Sequence, residues 1–289
     1  EGDDIKDERN WIKANPIVAT SEVGMKFLRD ELKIALDVPE KIRNFMTKNM
    51  NIWVDMPEAG YMDMNKWDKC ELEHDDFDEF AKTANAYLGF DLSMTTDLTS
   101  IGLVLTNGNE YRVKQVSFMP KDKFYERMAK DKVRFDIYRD RGELILTDGA
   151  IVDYTFVKAK ILEWAKKYNV KEVCYDKWNA IQMVWDLEQE GLTMIEIEQG
   201  IRMLTDPTKK FREAVYEGKM KHSEDKLLRW AMSNARVVAD ASENIKITKN
   251  KSVDRIDPVA ASINAFARAM QDNMHINLEE LILSDDWGL

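Results

Sequence analysis

The chain has 289 residues, 44% of them hydrophobic and 33% charged, with 12 glycines and 6 prolines, a composition that buries a sizeable core and excludes low-complexity or collagen-like chains. Its 42 basic and 53 acidic side chains leave a net charge of −11, and the first 80 residues, with 11 basic and 20 acidic, hold most of the imbalance. Two cysteines (Cys70, Cys174) and three scattered histidines (His74, His222, His275) exclude a disulfide framework and a zinc site of ordinary ligand spacing.

No stretch approaches the roughly 20 apolar residues of a bilayer crossing, and the opening EGDDIKDERNW lacks the basic and apolar regions of a signal peptide. A soluble, unexported protein in a reducing cytoplasm is expected. Residues 1–80 read as helices and irregular connections, a helical linker segment with no strand series of its own. Within it SEVGMKFLRDELKIAL (21–36) sets Val23, Phe27, Leu28, Leu32 and Ala35 at helical spacing after a Ser21 cap. The charge block ELEHDDFDEFAK (71–82) reads as a solvated linker, so a domain boundary is placed at residue 80.

From Ala86 the pattern changes. AYLGFDLS (86–93), TSIGLVLTN (99–107) and EYRVKQVSFM (110–119) predict three consecutive antiparallel strands. Residues 120–150 hold charged helix-like and irregular pieces. Helix and strand then alternate: VDYTFVKAKILEWAKKY, VKEVCYD, a helix from Trp178 to Gly191, and LTMIEIEQ. Two helical pieces (207–218 and 224–234), a hairpin from Arg236 to Thr248 and a last helix, IDPVAASINAFARAM, complete the series. That helix carries Ile256, Val259, Ala260, Ile263, Phe266, Ala267 and Met270 on one face. The order predicts an α/β fold, a ribonuclease-H-like mixed sheet flanked by helices over residues 81–275, with 276–289 as a C-terminal tail.

Four aspartates stand at the ends of these elements. Asp91 interrupts an apolar strand, where a carboxylate is costly to bury unless paired or bound to a cation; a turn former is the plainer account. Asp97 follows a turn-like SMTT that can fold it back towards Asp91, or is a turn cap. Asp176 closes VKEVCYD, at the strand end where ligands collect in open α/β sheets, and serves equally as a helix cap. Asp257 precedes Pro258, as an N-cap does. Taken together, carboxylates from two strand ends and a helix start can converge on one cleft. Such a cleft suits Mg2+ or Mn2+, hard cations held by one or two carboxylates plus water and phosphate. Two such ions roughly 4 Å apart serve phosphodiester hydrolysis. His222 reads as structural or as a group near the metals; Lys246, Lys249, Lys251 and Arg255 read as a solvated loop face or a track for a DNA backbone.

The runs GFDLSMTTDLTSIGLVL, CYDKWNA, KFREAVYEGKMKH and KSVDRIDPVAASINAFARA resemble, in that order, the nuclease domain of tailed-bacteriophage terminase large subunits. WIKANP and FMTKNMNIWVD resemble the stretch leading out of the motor ATPase of the same proteins. The resemblance implies a metal-dependent endonuclease that cuts concatemeric double-stranded DNA with little sequence specificity. It places Asp91, Asp176 and Asp257 as a metal-binding catalytic triad and Asp97 as an accessory metal acid. It implies as partners a small terminase subunit, a portal and an ATPase domain, and as location the cytoplasm of an infected bacterium rather than the mature virion. No GxxxxGK[ST] phosphate loop occurs, so no ATP hydrolysis is expected and the chain reads as a C-terminal fragment. Two rival readings are a noncatalytic docking module of the packaging motor and an actin-like ATPase. DLSMTTDLTS loosely echoes the phosphate loop of the latter but lacks its glycine.

Overall fold

The computed structural model describes residues 4–37, 39–52, 60–74, 76–93, 98–249 and 255–283, with side chains up to Asp272. The three apolar runs form β1 (Asn85–Asp91), β2 (Thr99–Thr106) and β3 (Tyr111–Pro120), antiparallel in sequence order. Two strands too short to announce themselves in the sequence, β4 (Leu144–Thr147) and later β7 (Met220–His222), both lie parallel to β3. They share its outer edge, β7 against Tyr111–Val113 and β4 against Ser117–Pro120. On the other side β5 (Val170–Tyr175) runs parallel to β1, and β6 (Met194–Glu196) parallel to β5. The result is a seven-stranded mixed sheet, β4-β3-β2-β1-β5-β6, with β7 beside β3.

Strand alternation sends two sets of side chains to opposite faces. Leu88, Phe90, Ile101 and Leu103 pack with Val157, Ile161, Met183 and Leu187, whereas Tyr87, Val104, Tyr111 and Val113 pack with Phe211, Leu228, Ile263 and Phe266. Both faces are therefore covered, as a mixed sheet with apolar strands requires.

The helices are α1 (Glu8–Ala14), α2 (Glu22–Asp37), α3 (Pro39–Asn44), α4 (Met64–Asp68), α5 (Phe77–Phe80), α6 (Phe124–Asp131), α7 (Phe135–Asp140), α8 (Tyr154–Lys167), α9 (Ile181–Gln189), α10 (Ile201–Tyr216), α11 (Lys226–Asn234) and α12 (Asp257–Leu283). A hairpin, β8 (Ala235–Ala239) and β9 (Ile245–Lys249), stands apart from the main sheet. No helix among the described residues is long and apolar enough to cross a membrane.

Several local expectations change. In α2, Leu28, Leu32 and Ala35 are buried in a small core with Trp11 and Phe45, but Val23 and Phe27 are 82% and 52% exposed. Each residue advances about 100° around a helix, so Phe27 sits well off the face that Leu28 sets. The charge block from residue 71 is no solvated linker throughout: Phe77 is buried under the sheet, and Leu72 donates its backbone N–H to the His222 carbonyl at 2.9 Å. Packing thus continues across residue 80. Helix α9 starts at Ile181 rather than Trp178, because Asn179 takes a left-handed φ of 59°. Helix α10 starts six residues before Pro207 and carries it inside, held by the buried Leu204, Phe211 and Val215; tertiary packing there outweighs the helix-breaking tendency of proline.

One contact sets the geometry of the remainder. Gly89 on β1 pairs directly with Gly102 on β2. A Cβ on Gly89 would lie 2.3 Å from the Ala261 carbonyl oxygen, and one on Gly102 would lie 2.6 Å from the Ser262 nitrogen. The glycine pair leaves a flat seat on which the backbone of α12 lies. Asn85 Nδ2 donates to Asp272 at 2.9 Å and Asn264 Nδ2 to the Phe90 carbonyl at 3.4 Å. Helix α12 therefore runs opposite to β1 and brings its first residue to the strand's carboxyl end.

Candidate active site

Asp91 is the last residue of β1, two positions beyond Gly89, so the alternation that turns Gly89 towards α12 turns the Asp91 carboxylate the same way. Asp257 opens α12, with Pro258 in the first turn, where a missing N–H costs nothing. The two carboxylates line one cleft of about 510 Å³, together with Ser93, Gln199, Thr248 and Asn264. Leu204 and Thr208 of α10 form one wall, and Lys246 and Ile247 of the hairpin another.

Polar links hold this mouth in shape. Gln199 Nε2 donates to the Ile197 carbonyl at 3.0 Å and to Asn264 Oδ1 at 3.3 Å, while Lys246 Nζ donates to the Gln199 carbonyl at 3.4 Å. Since Asn264 also bonds the Phe90 carbonyl, α12, the chain after β6 and the end of β1 are tied together beside Asp91. Gln199, Ser93, Thr248 and Asn264 were not anticipated. Only Asn264 left a signal, as a polar residue inside an otherwise apolar helix.

Asp176 is the first residue after β5, whose last residue, Tyr175, pairs with Phe90, so it leaves the carboxyl end of the strand parallel to β1, the same end of the sheet that Asp91 closes. It does not line the cleft that Asp91 and Asp257 share. Its Oδ1 accepts the Trp178 backbone N–H at 3.2 Å, the geometry of a turn cap. Burial pushes its pKa up, the Trp178 N–H opposes this, and Glu196 of β6 adds to the rise. Among the described residues no three His, Cys, Asp or Glu side chains converge as a preformed metal cluster. Asp97 and Lys251 lie outside the described residues, as does the side chain of Lys249.

The donors that do meet in the cleft are carboxylate, hydroxyl and amide oxygens, with neither thiol nor imidazole. Magnesium and manganese accept such a set, since they keep much of their water and need only one or two carboxylates. The softer candidates are placed elsewhere. Cys174 is buried, and burial pushes its thiol pKa far up. His222, 3% exposed, stacks on Trp67 with ring centroids 4.2 Å apart, its Nε2 3.0 Å from the Trp67 carbonyl. It does not line the cleft, and its role here is structural. Arg255, read from the sequence as part of a loop face or DNA track, is 2% exposed and turned inward to Asp131.

Known proteins resemble this chain in sequence and fold. The chain is 29% identical over 285 residues to Protein YmfN of Escherichia coli, covering 93% of this chain and 61% of that protein. It is 27% identical over 262 residues to the terminase large subunit of Enterobacteria phage HK97, covering 89% of this chain and 50% of that protein. The crystal structure of the HK97 bacteriophage large terminase superposes with a TM-score of 0.65 at 25% identity, covering 93% of this chain and 55% of that one. The chain thus spans little more than half the length of these relatives. A family model described as the terminase large subunit endonuclease domain matches residues 1–273. With that match across nearly its whole length, the chain belongs to the terminase large subunit endonuclease domain family.

Proposed function

We propose that this chain is a metal-dependent endodeoxyribonuclease that hydrolyses phosphodiester bonds of concatemeric double-stranded DNA during phage genome packaging. The observation that carries the reading is the meeting of Asp91 and Asp257 in one cleft, with Asp176 just past the carboxyl end of the adjacent strand. Asp91 and Asp257 would hold Mg2+ or Mn2+, with Asp176 as the third carboxylate and Asp97 as an accessory acid. Two such ions, when bound, would supply Lewis-acid activation of a water and neutralise charge developing on the phosphodiester.

The chain's own groups orient the reaction. Asn264 and Gln199 fix the end of β1, so that the Asp91 carboxylate is placed before substrate arrives. Lys246, on the hairpin wall, offers an ammonium to a backbone phosphate. Phosphate contacts position the duplex without reading it, so cutting by this chain has little sequence preference. A small terminase subunit, a portal and an ATPase domain complete the packaging machine, and the work is done in the cytoplasm of the infected host. The chain itself hydrolyses no ATP.

Supercoiled plasmid incubated with the purified chain tests the reading. Nicked and linear products are expected with Mn2+ or Mg2+ and none with chelator. Asp91→Asn, Asp176→Asn and Asp257→Asn should each reduce the rate on the order of 10³-fold, since the cation's stabilisation of the transition state is worth several kcal/mol. Full activity in Asp176→Asn removes that residue from the site. No cleavage by the folded chain under any divalent ion favours the docking module, and nucleotide turnover the actin-like ATPase.

A further inference from the structure

A buried ion pair lies just ahead of Asp257 in the chain. Arg255, two residues earlier, is among the largest fully buried side chains, and its Nη2 lies 3.2 Å from Asp131 Oδ2. Asp131 is itself fully buried at the last residue of α6, where Lys132 ends the helix with a left-handed φ of 55°. Arg127, one turn back on α6, places Nη1 3.9 Å from the other Asp131 oxygen. The Arg255 main chain is held as well, its carbonyl accepting from Asn234 Nδ2 at 3.5 Å at the end of α11.

Buried guanidinium–carboxylate pairs are poor stabilisers, because removing two charges from water costs about as much as their attraction returns. What such a pair supplies is a defined geometry, since the planar guanidinium accepts few arrangements. Here it joins the end of α6 to the residue that leads the chain into α12. The glycine seat holds the second turn of α12, around Ala261 and Ser262, and the Arg255 pair holds the residues that lead into the first.

We propose that Arg255 is a positioning residue, clamped by Asp131 and Asn234, that fixes the entry of α12 so that the Asp257 carboxylate faces Asp91 in the cleft. The inference rests on the metal reading given above and adds to it the part of the protein that shapes the site from behind. Neither Arg255 nor Asp131 lines the cleft; both act through Asp257.

The test compares Arg255→Met, Arg255→Lys and Asp131→Asn with Asp257→Asn, in the full chain, by two measurements. Calorimetric titration with Mn2+ reads metal affinity, and amide hydrogen exchange over residues 257–261 of the metal-free protein reads order in the first turn of α12. The expected result for Arg255→Met and Asp131→Asn is faster exchange in that turn and a 10- to 100-fold weaker Mn2+ affinity, about the loss that supporting partners of metal ligands show. Arg255→Lys should recover part of both. If Arg255→Met does not fold, Asp131→Asn and Arg255→Lys carry the same comparison. Lower unfolding midpoints with wild-type exchange and wild-type Mn2+ affinity overturn the clamp while leaving the metal reading in place. Mn2+ binding that is indifferent to Asp257→Asn overturns the metal reading instead, and with it the purpose of the clamp.

Discussion

Asp225 caps α11, its Oδ1 accepting the Leu228 N–H at 2.7 Å, and it also receives the Gln115 side-chain amide at 3.0 Å. Burial, reinforced by the nearby Glu143 carboxylate, pushes its pKa up to about 7. An unfolded aspartate releases its proton near pH 3.9. Between those values the folded chain holds a proton that the unfolded chain has lost, so this group's contribution to stability is largest below about pH 4 and falls as pH rises to about 7. Asp225→Asn should therefore flatten the pH dependence of the unfolding midpoint across that window, gaining on the wild type towards neutral pH. Parallel curves for the two proteins would show that Asp225 is already ionised. Sequence reading passed over Asp225 because its environment is assembled from Gln115 of β3, Glu143 just before β4 and the first turn of α11. It weighed His222 and Arg255 as chemical groups because nothing local shows that their side chains are buried. A histidine stacked on Trp67 and one facing a metal have the same neighbours in the chain.

At the scale of elements, the pairing of Gly89 with Gly102 sets how closely α12 lies on the sheet, one turn beyond Asp257. Gly89→Ala and Gly102→Ala each drive a methyl into helix backbone rather than into a side chain that can swing away. Each should cost about 1–3 kcal/mol in urea unfolding, the usual range for overpacking, and weaken Mn2+ binding by displacing the start of α12. Gly200→Ala is the control, since a Cβ there meets nothing within 4 Å. Equal effects at Gly89 and Gly200 would remove the seat from the account. Long apolar or periodic segments were legible: β1 to β3, α8, β5, the hairpin and the start of α12 lie where period and turn residues put them, but α12 runs on past Met270 to Leu283, into the stretch expected as a tail. The strands β4 and β7 were not, since four and three residues carry too little pattern. The start of α10 was hidden by Pro207, a local stop signal that packing overrides.

For the whole molecule, a net charge of −11 works against the DNA binding proposed above. The difficulty eases if affinity depends on a local basic edge rather than on overall charge. Lys246 is the described lysine in the cleft wall, with Lys249 and Lys251 close in sequence. Three phosphate contacts would give a log–log slope of affinity against salt of about −3, and Lys246→Ala should reduce that slope by about 1. An affinity unchanged between low and moderate salt would dismiss the basic edge as the DNA contact.

The amino-acid sequence alone determined the three consecutive antiparallel strands, the later alternation of helix and strand and the four acidic candidates, because these follow from periodicity and turn chemistry within short windows. The tertiary structure decided which of those acids share a cleft. It placed Asp91 and Asp257 in one cleft and Asp176 outside its lining, and it turned His222 and Arg255 into the interior. Such outcomes depend on close packing between segments far apart in the chain, here a helix resting on two glycines, and no local pattern records how tightly one backbone approaches another.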